Sequence, residues 1–284
     1  MKFFVLGSDG QLGTDVVKVL GEKAADFFPA CHKDADIANS QALQSLLARE
    51  QPDAVINCTA FHDMNKSEEN PQLAMETNAL AVGSLARSCS ECGAKLMTLS
   101  SDYVFDGTRP EGYNEEDAPN PQTWYGKSKL AGEWMARAYC KRAFVVRVQS
   151  LYGLRGPKGK GLNFIDLMLK LSQERDELKV DQCRMAPTWT YALAKNMIAL
   201  METDLFGLYH MSCNGITTWY EFAKKIMELT CSPVKVTPVP NDFFPRNFKR
   251  PENTYLINRR LKEINLDLMP DWETALKDYL KLKK

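Results

Sequence analysis

The feature that most constrains the fold is a glycine-rich turn between the first apolar run and the first helical segment. The run Lys2–Leu6 leads directly into Gly7, Gly10 and Gly13, and apolar residues then recur at helical spacing over Gln11–Leu20. Glycine is required where a chain turns tightly and where its backbone approaches a pyrophosphate closely. The free N–H groups and the positive end of the helix then face the phosphates. This order of elements predicts a dinucleotide site.

The alternation of apolar runs with helical segments continues through the first half of the chain. Such segments follow one another at Asp26–Cys31, Ser40–Arg49, Ala54–Cys58, Gln72–Cys92, Lys95–Ser100, Thr123–Tyr139 and Ala143–Val148. Continuous apolar runs are typical of parallel strands that helices cover on both faces. We therefore predict an α/β fold, a doubly wound parallel sheet of the Rossmann type.

The second half of the chain has a different character. Helices separated by loops rich in Pro, Asn and Arg are predicted at Phe164–Gln173, Tyr191–Met201, Thr218–Leu229 and Trp272–Leu280. We expect residues 1–150 to form the dinucleotide-binding domain and residues 151–284 to form mainly a smaller substrate-binding lobe. Segments within about 175–212 are expected to return to the first domain, and the lobe is expected to cover the carboxyl ends of the strands.

Composition argues against several kinds of partner. The formal net charge is zero and no long basic block occurs, so neither nucleic acid nor a membrane surface is predicted as a partner. The apolar start of the chain is too short for a signal peptide, and no stretch approaches the roughly 18 apolar residues of a membrane span. The eight cysteines are scattered and mostly in apolar surroundings, which is typical of reduced, buried thiols. We predict a cytoplasmic protein.

A Cys-x-x-Cys pair at Cys89 and Cys92 is the one pattern that resembles a metal or redox motif. It lies late in a helical segment that ends at Gly93, and no second pair or nearby histidine could complete a zinc site. We therefore interpret the two thiols as helix residues and predict no metal site there.

The strongest indication of chemistry is a tyrosine and a lysine four residues apart. Tyr125 and Lys129 would lie on one face of a helix, where the ammonium can lower the pKa of the phenol and also hold a nicotinamide ribose. Ser101 follows the strand Lys95–Ser100 at the edge where such sheets bind ligands. Its hydroxyl can bind a carbonyl oxygen while the tyrosine protonates it. These three residues are predicted to be catalytic.

The residues after the second strand bear on the choice of cofactor. An acidic residue usually holds the ribose 2′-hydroxyl there, whereas this chain has His32 and Lys33, with no carboxylate before Asp34. The missing acid favours NADPH over NADH, although NADH stays open. Lys33 as a solvated loop residue is the alternative interpretation.

Two further loops offer candidate residues. His62 and Asp63 are adjacent and seldom could face each other, so Ala60, Phe61 and His62 are predicted to line the cofactor instead. Arg250 lies in a polar loop of the second half, and an arginine suits a diphosphate. A solvated loop is the alternative for Arg250.

Motifs along the chain carry a family resemblance. Besides the glycine turn, they are Ser100-Ser-Asp-Tyr-Val-Phe-Asp-Gly107, Tyr125-Gly-Lys-Ser-Lys129-Leu-Ala-Gly-Glu133, Asp181-Gln182, Pro187-Thr188, Trp219-Tyr-Glu-Phe222, Arg250-Pro251 and Met269-Pro-Asp-Trp272. Together they resemble the dTDP-4-dehydrorhamnose reductases. The resemblance extends from the first strand to the last helix, and the Ser-Asp-Tyr-Val-Phe-Asp-Gly string is far more specific than the glycine turn.

The resemblance implies reduction of the 4-keto group of dTDP-4-dehydro-6-deoxy-L-mannose by NAD(P)H, which gives dTDP-L-rhamnose. At matching positions, Tyr125 would donate the proton, and Ser101 would polarise the carbonyl. Lys129 would adjust the pKa of Tyr125 and hold the nicotinamide ribose. The other matched residues are Gly10, Gln11 and Leu12 at the pyrophosphate, Asp36 and Ile37 at the adenine, Ala60, Phe61 and His62 along the cofactor, and Asp102, Ser150 and Arg250 at the nucleotide sugar.

The chain departs from the family pattern at several positions. The family usually has threonine at Ser101, which keeps the hydroxyl, and aspartate at Asn65. Ser150 replaces a tryptophan that would contact the sugar, so this departure bears on the identity of the sugar more than on the type of reaction. Similar enzymes often form homodimers, some of them around magnesium. The related acidic residue is Asp15 here, and the metal and the dimer both stay undecided.

Two alternatives to this reductase are retained. A reductase or epimerase of another nucleotide sugar is compatible with Ser150. A regulatory subunit like that of methionine adenosyltransferase shares the fold and the Ser-Asp-Tyr-Val-Phe-Asp-Gly string, yet serves as a binding partner. The reductase-like segments near Pro187 and Trp219 argue against the second alternative.

Overall fold

The central element is a six-stranded parallel sheet, in a computed structural model that describes residues 1–157 and 161–283. The strand order is β10-β5-β4-β3-β1-β2. The strands are β1 (Lys2–Leu6), β2 (Asp26–Ala30), β3 (Ala54–Asn57), β4 (Lys95–Ser101), β5 (Ala143–Val148), β6 (Leu151–Tyr152), β7 (Glu177–Asp181), β8 (Arg184–Met185), β9 (Thr188–Trp189), β10 (Gly207–His210), β11 (Thr217–Thr218) and β12 (Lys235–Val239). The predicted doubly wound parallel sheet is confirmed.

Helices cover both faces of this sheet. They are α1 (Gln11–Glu22), α2 (Ser40–Glu50), α3 (Met64–Glu69), α4 (Pro71–Met75), α5 (Ala81–Glu91), α6 (Trp124–Tyr139), α7 (Phe164–Glu174), α8 (Thr190–Met201), α9 (Trp219–Leu229), α10 (Arg259–Glu263) and α11 (Trp272–Leu282). None of the helices in the described ranges combines the length and the apolar character that crossing a membrane requires.

Two apolar clusters result from the alternation of side chains along each strand. In β1, Phe3 and Val5 face a cluster that includes α1 and α8, whereas Phe4 and Leu6 face one that includes α2, α5 and α6. All four side chains are almost completely buried. Successive residues of a strand point to opposite faces, so a sheet buried on both sides has no polar alternation.

The second half of the chain contributes both to the main sheet and to a separate small sheet. Strand β10 pairs in parallel with β5 and so extends the main sheet, and α8 packs beside α1. Strand β7 pairs instead with β12 in a separate small sheet, against which α9 packs. Short pairings of β6 with β9 and of β8 with β11 connect these two regions.

The single helix predicted over Gln72–Cys92 is interrupted. A π-helical turn at Glu76–Leu80 separates α4 from α5. Within that turn, the Asn78 side chain accepts a hydrogen bond from the backbone of Phe61 at 2.9 Å and donates one back at 2.9 Å. It also donates to the Ser128 hydroxyl of α6 at 3.0 Å. These tertiary bonds favour the wider turn, because they bind Asn78 to two other segments.

The contact between this turn and α6 depends on a glycine. A Cβ atom at Gly132 would lie 2.2 Å from the carbonyl oxygen of Asn78. We expect Gly132→Ala to lower the free energy of unfolding by about 1–3 kcal/mol, because the helix must move away from the turn. Gly21 of α1 is the control, since nothing lies within 4 Å of a Cβ atom there.

Gly21→Ala is expected to stabilise the protein by up to about 1 kcal/mol, because alanine is the better helix former. Urea unfolding of the two variants measures both effects. Equal stability of the Gly132→Ala variant and the natural protein would contradict the close contact.

Candidate active site

A cavity of about 660 Å³ opens at the carboxyl ends of β1, β3, β4 and β5. This volume is within the range of small-molecule and cofactor sites. Ligands of doubly wound sheets bind at this edge. Of the residues predicted from sequence, the described lining includes Gly7, Gly10, Gln11, Leu12, Ala60, His62, Ser101, Asp102, Tyr125, Lys129, Ser150 and Arg250.

The glycine turn has the geometry that a pyrophosphate requires. Gly7 has a φ of +77°, and the N–H of Gly10 donates to its carbonyl oxygen at 3.0 Å. A Cβ atom at Gly13 would lie 2.1 Å from the same oxygen, so a side chain there is excluded. The start of α1 therefore packs directly against the turn at Gly13, and Gly10 and Gln11 face the cavity. These residues fit a dinucleotide pyrophosphate.

Four predicted cofactor residues are not in the described lining. Gly13 packs beneath the turn, and Ile37 is buried in the apolar cluster beside α2. The Asp36 side chain accepts from the N–H of Ala38 at 3.0 Å. The backbone of Phe61 is held by Asn78 of the π-helical turn. Any contact that these residues make with a cofactor remains a prediction.

Tyr125 lies in the first turn of α6, which is placed tightly against the end of β4. The Thr123 side chain caps this helix by accepting from the N–H of Gly126 at 3.0 Å. A Cβ atom at Gly126 would lie 2.1 Å from the carbonyl oxygen of Tyr103, so only glycine permits this approach. The Tyr125 hydroxyl consequently lies within hydrogen-bonding range of Ser101.

Burial controls the acidity of the tyrosine and the lysine. Desolvation raises the pKa of Tyr125, and the hydrogen bond with Ser101 offsets only part of this effect. Desolvation likewise lowers the pKa of Lys129 to about 8, while the charge of Glu133 opposes the change. The expected lowering of the tyrosine pKa by Lys129 is therefore not found, because burial of the phenol dominates. Tyr125 retains its proton at neutral pH.

Ser101 and Asp102 form a hydrogen-bonded pair beside the phenol. The Ser101 hydroxyl donates to Oδ1 of Asp102 at 2.8 Å and accepts from the N–H of Tyr103 at 3.2 Å. Burial raises the pKa of Asp102 to about 6, against the effects of Ser101, Thr254 and Arg250. The serine oxygen is thereby held in place at the edge of the sheet.

Arg250, from the second half of the chain, lines the cavity and is held in place by its neighbours. Its Nη1 donates to Asp181 at 2.7 Å, and its guanidinium carbon lies 5.2 Å from the centre of the Trp219 ring. Although burial disfavours the cation, Tyr103 and Asp181 raise the pKa of Arg250. Arg250 is thus a fixed cation and not the solvated loop residue of the alternative interpretation.

Ser150 lies where the family has a tryptophan, and its backbone has a left-handed conformation with φ of +46°. This conformation is uncommon for residues other than glycine. Its carbonyl oxygen accepts from the N–H of Thr188 at 3.0 Å, which joins the segment after β5 to β9.

Several lining residues were not predicted from sequence. Gln149 is buried, its Oε1 accepts from the N–H of Ala186 at 3.1 Å, and its Nε2 has no hydrogen-bond partner among the described residues. Trp219, by contrast, belongs to a motif of the resemblance, and its ring lines the cavity and also packs on Phe164, with centroids 4.4 Å apart. Tyr103 lies inside the motif Ser100–Gly107 that carries the resemblance, and this position could have marked it as a site residue. Gln149 lies in no such motif, so its place in the cavity could not be read from the sequence.

The other polar candidates have structural partners. Asp63 caps α3 by accepting from the N–H of Lys66 at 3.2 Å. The buried side chain of Asp15 accepts from the Thr190 hydroxyl and joins α1 to α8. Among the residues that the structure describes, no group of three potential metal ligands occurs.

A hydroxyl, a phenol and an ammonium group at the carboxyl edge of a doubly wound sheet, beside a glycine turn, define the class of short-chain dehydrogenases and reductases. Within it, the family model described as RmlD substrate binding domain matches residues 1–284, and the chain belongs to that family. The resemblance found in the motifs is confirmed.

Known proteins are similar along the whole chain. A dTDP-4-dehydrorhamnose reductase from Escherichia coli K12 is 31% identical over 99% of this chain and 97% of its own length. A crystal structure of the reductase from Clostridium acetobutylicum is 37% identical, with a TM-score of 0.95, and covers 100% of this chain and 99% of that one. The Bacillus anthracis reductase, solved with NADP, is 33% identical, with a TM-score of 0.94 and coverages of 99% and 98%.

The acidity of Lys129 can be measured directly. Because burial lowers its pKa to about 8, raising the pH through this value should remove its charge well before that of an ordinary lysine at 10.5. We expect one lysine side-chain NMR signal to titrate near pH 8 and to be missing from the Lys129→Met variant. If every lysine signal titrates above pH 10, the described burial of Lys129 is wrong.

Proposed function

We propose that the chain catalyses the NADPH-dependent reduction of the 4-keto group of dTDP-4-dehydro-6-deoxy-L-mannose to dTDP-L-rhamnose. The observation that carries this proposal is the position of Tyr125 within hydrogen-bonding range of Ser101, with Lys129 one turn away. Full-length similarity to proteins with this reductase name supports the choice of reaction.

Each catalytic side chain has one role in the proposed reaction. NADPH, when bound, supplies the hydride. The Tyr125 phenol retains its proton at neutral pH and donates it to the carbonyl oxygen of the sugar. The Ser101 hydroxyl binds the same oxygen, held in place by Asp102 and Tyr103. The ammonium of Lys129 binds the nicotinamide ribose next to the phenol.

The cofactor is proposed to extend along the edge of the sheet from the glycine turn to Tyr125. Backbone N–H groups at Gln11 and Leu12 would hold the pyrophosphate at the start of α1, and Gly10, which has no side chain, would let it approach the turn closely. Ala60 and His62, which line the cavity after β3, would contact the cofactor along its length. Asp36, Ile37 and Phe61 are the proposed contacts at its adenine end, as predicted from sequence.

The nucleotide sugar is proposed to bind between the sheet and the second lobe. Arg250 offers a fixed cation to the diphosphate, and its ion pair with Asp181 limits its motion. Asp102 and Ser150 line the space beside the reacting carbonyl. The ring of Trp219 supplies an aromatic surface on the side of the lobe.

Ser150 favours a second candidate function, the reduction or epimerisation of another nucleotide sugar. A wall without the family tryptophan accepts a sugar of different shape, while Tyr125, Lys129 and Ser101 would perform the same chemistry. The non-catalytic regulatory alternative has no observation of its own in this cavity. Homodimerisation and a cytoplasmic location stay predictions from sequence.

The proposed activity can be tested with purified protein and a dTDP-4-keto-6-deoxy sugar generated in situ. We expect NADPH absorbance to decrease, and Tyr125→Phe to lower kcat by at least roughly 100-fold, because the general acid is removed. Tyr139→Phe is the matched control, since this half-exposed tyrosine ends the same helix and stacks on Arg87.

The outcomes separate the three functions. Turnover with a different keto sugar and none with the proposed one would favour the second candidate. Binding of NADPH without turnover on any keto sugar would favour the regulatory alternative. Full activity of the Tyr125→Phe variant would refute the assigned proton donor.

Selectivity for NADPH depends on the loop after β2. His32 lines the cavity, Lys33 is exposed beside it, and both can donate to a 2′-phosphate. We expect a lower KM for NADPH than for NADH. The double variant His32→Ala, Lys33→Ala should reduce that preference about tenfold, since one hydrogen bond to a charged group contributes about 1.5 kcal/mol.

The control is Lys23→Ala, which removes an exposed lysine paired with Glu202. It should leave both KM values unchanged. An equal rise of the two KM values in the double variant would show that the loop does not recognise the 2′-phosphate.

A further inference from the structure

An ion pair lies buried directly behind the catalytic residues. Glu133 of α6 and Arg147 of β5 are only 4% and 2% exposed. Nε of Arg147 donates to Oε1 of Glu133 at 2.7 Å, and Nη2 donates to Oε2 at 2.7 Å. This bidentate geometry fixes both the distance and the relative orientation of the two side chains.

Further groups complete the surroundings of the pair. The Ser100 hydroxyl of β4 donates to Oε1 of Glu133 at 2.5 Å. Nη1 of Arg147 lies 3.4 Å from Nε2 of His210. The guanidinium carbon of Arg147 lies 5.0 Å from the centre of the Phe105 ring. The pair thereby joins α6 to β4, β5 and β10.

His210 contributes a neutral acceptor to this cluster. Burial, and next the Arg147 cation, lower the pKa of His210 well below its ordinary value. Its Nδ1 lies 3.2 Å from the carbonyl oxygen of Tyr113, so Nδ1 carries the proton and Nε2 accepts from Arg147. With a neutral imidazole, the cluster contains one anion and one cation.

The cluster is adjacent in sequence to every catalytic residue. Glu133 follows Lys129 by one helical turn and Tyr125 by two, and Ser100 immediately precedes Ser101. The register of the sheet places Ser100 opposite Arg147. A rotation or shift of α6 that moved the phenol away from Ser101 would therefore also disturb the hydrogen bonds to Glu133.

On the basis of the proposed reduction, we propose that Glu133 is a positioning residue. Held by Arg147 and Ser100, it fixes α6 against the sheet so that Tyr125 and Lys129 meet Ser101, and its negative charge stabilises the buried ammonium of Lys129. A purely structural role would not include that charge effect. Support comes from the pKa of Lys129, since the charge of Glu133 acts against the lowering by burial.

The charge effect is tested with Glu133→Gln. Burial lowers the pKa of Lys129 to about 8 in the natural protein. We expect Lys129 of the variant to titrate about one pH unit lower, because it loses a nearby anion and Arg147 loses its partner. The reading is the Lys129 NMR signal of the whole, cofactor-free protein. Activity with NADPH should decline over the same lower pH range.

Glu133→Gln leaves Arg147 buried without its partner, and this can prevent folding. The double variant Glu133→Gln, Arg147→Met removes both charges together and is measured in the same way. It should also titrate below the natural protein, by a smaller shift. An unchanged Lys129 titration in either folded variant would overturn the charge effect.

The positioning effect is tested with Ser100→Ala, which removes one hydrogen bond to Glu133 and no charge. We expect kcat to fall about tenfold with KM nearly unchanged, and Ser100→Thr to restore most of the loss. Ser88→Ala is the matched control, because Ser88 is also a buried serine but bonds only within its own helix, to the carbonyl oxygen of Ser84.

Equal effects of Ser100→Ala and Ser88→Ala on kcat would overturn the positioning role. Failure of the proposed reduction gives a different result, namely no turnover by the natural protein. In that case the Lys129 titration still decides whether Glu133 stabilises the ammonium.

Discussion

The close approach of α6 to the sheet is the constraint on which the rest of the site depends. Gly126 permits it, since a Cβ atom there would lie 2.1 Å from the carbonyl oxygen of Tyr103. Gly132 permits the contact of the same helix with the π-helical turn, where a Cβ atom would lie 2.2 Å from the carbonyl oxygen of Asn78. Tyr125 directly precedes Gly126, and its hydroxyl lies within hydrogen-bonding range of Ser101. A helix only slightly further away would leave the phenol out of reach of the serine.

Burial, more than any single partner, decides which groups of the site carry protons. It raises the pKa of Tyr125, lowers that of Lys129 to about 8 and raises that of Asp102 to about 6. Each shift disfavours the charged form. The phenol is left as the group that reliably holds a proton near neutral pH, which suits an acid in the reductive direction. Arg250 resists the same effect because Tyr103 and Asp181 stabilise its charge.

Local sequence determined what could be predicted of the fold and the site. Strands β1 to β5 and the glycine turn follow from apolar runs and from residues next to them in the chain. The turn at Glu76–Leu80 depends on bonds of Asn78 to Phe61 and Ser128, which no local pattern encodes. Gln149 was missed for the same reason, because its partner Ala186 lies 37 residues away. Strand β10 lies within the segment of about 175–212 that was expected to return to the first domain, but no local pattern names β5 as its partner.

In the proposed function, the reaction and the recognition of the sugar involve residues from different parts of the chain. The proton donor and the carbonyl-binding hydroxyl belong to α6 and β4, which the buried cluster around Glu133 holds together. The proposed surfaces for a sugar include Trp219 and Arg250, which line the cavity and belong to the second half of the chain. Ser150 joins the two parts by accepting a hydrogen bond from Thr188. A change of sugar can therefore follow from the lobe and from this junction without altering the proposed chemistry.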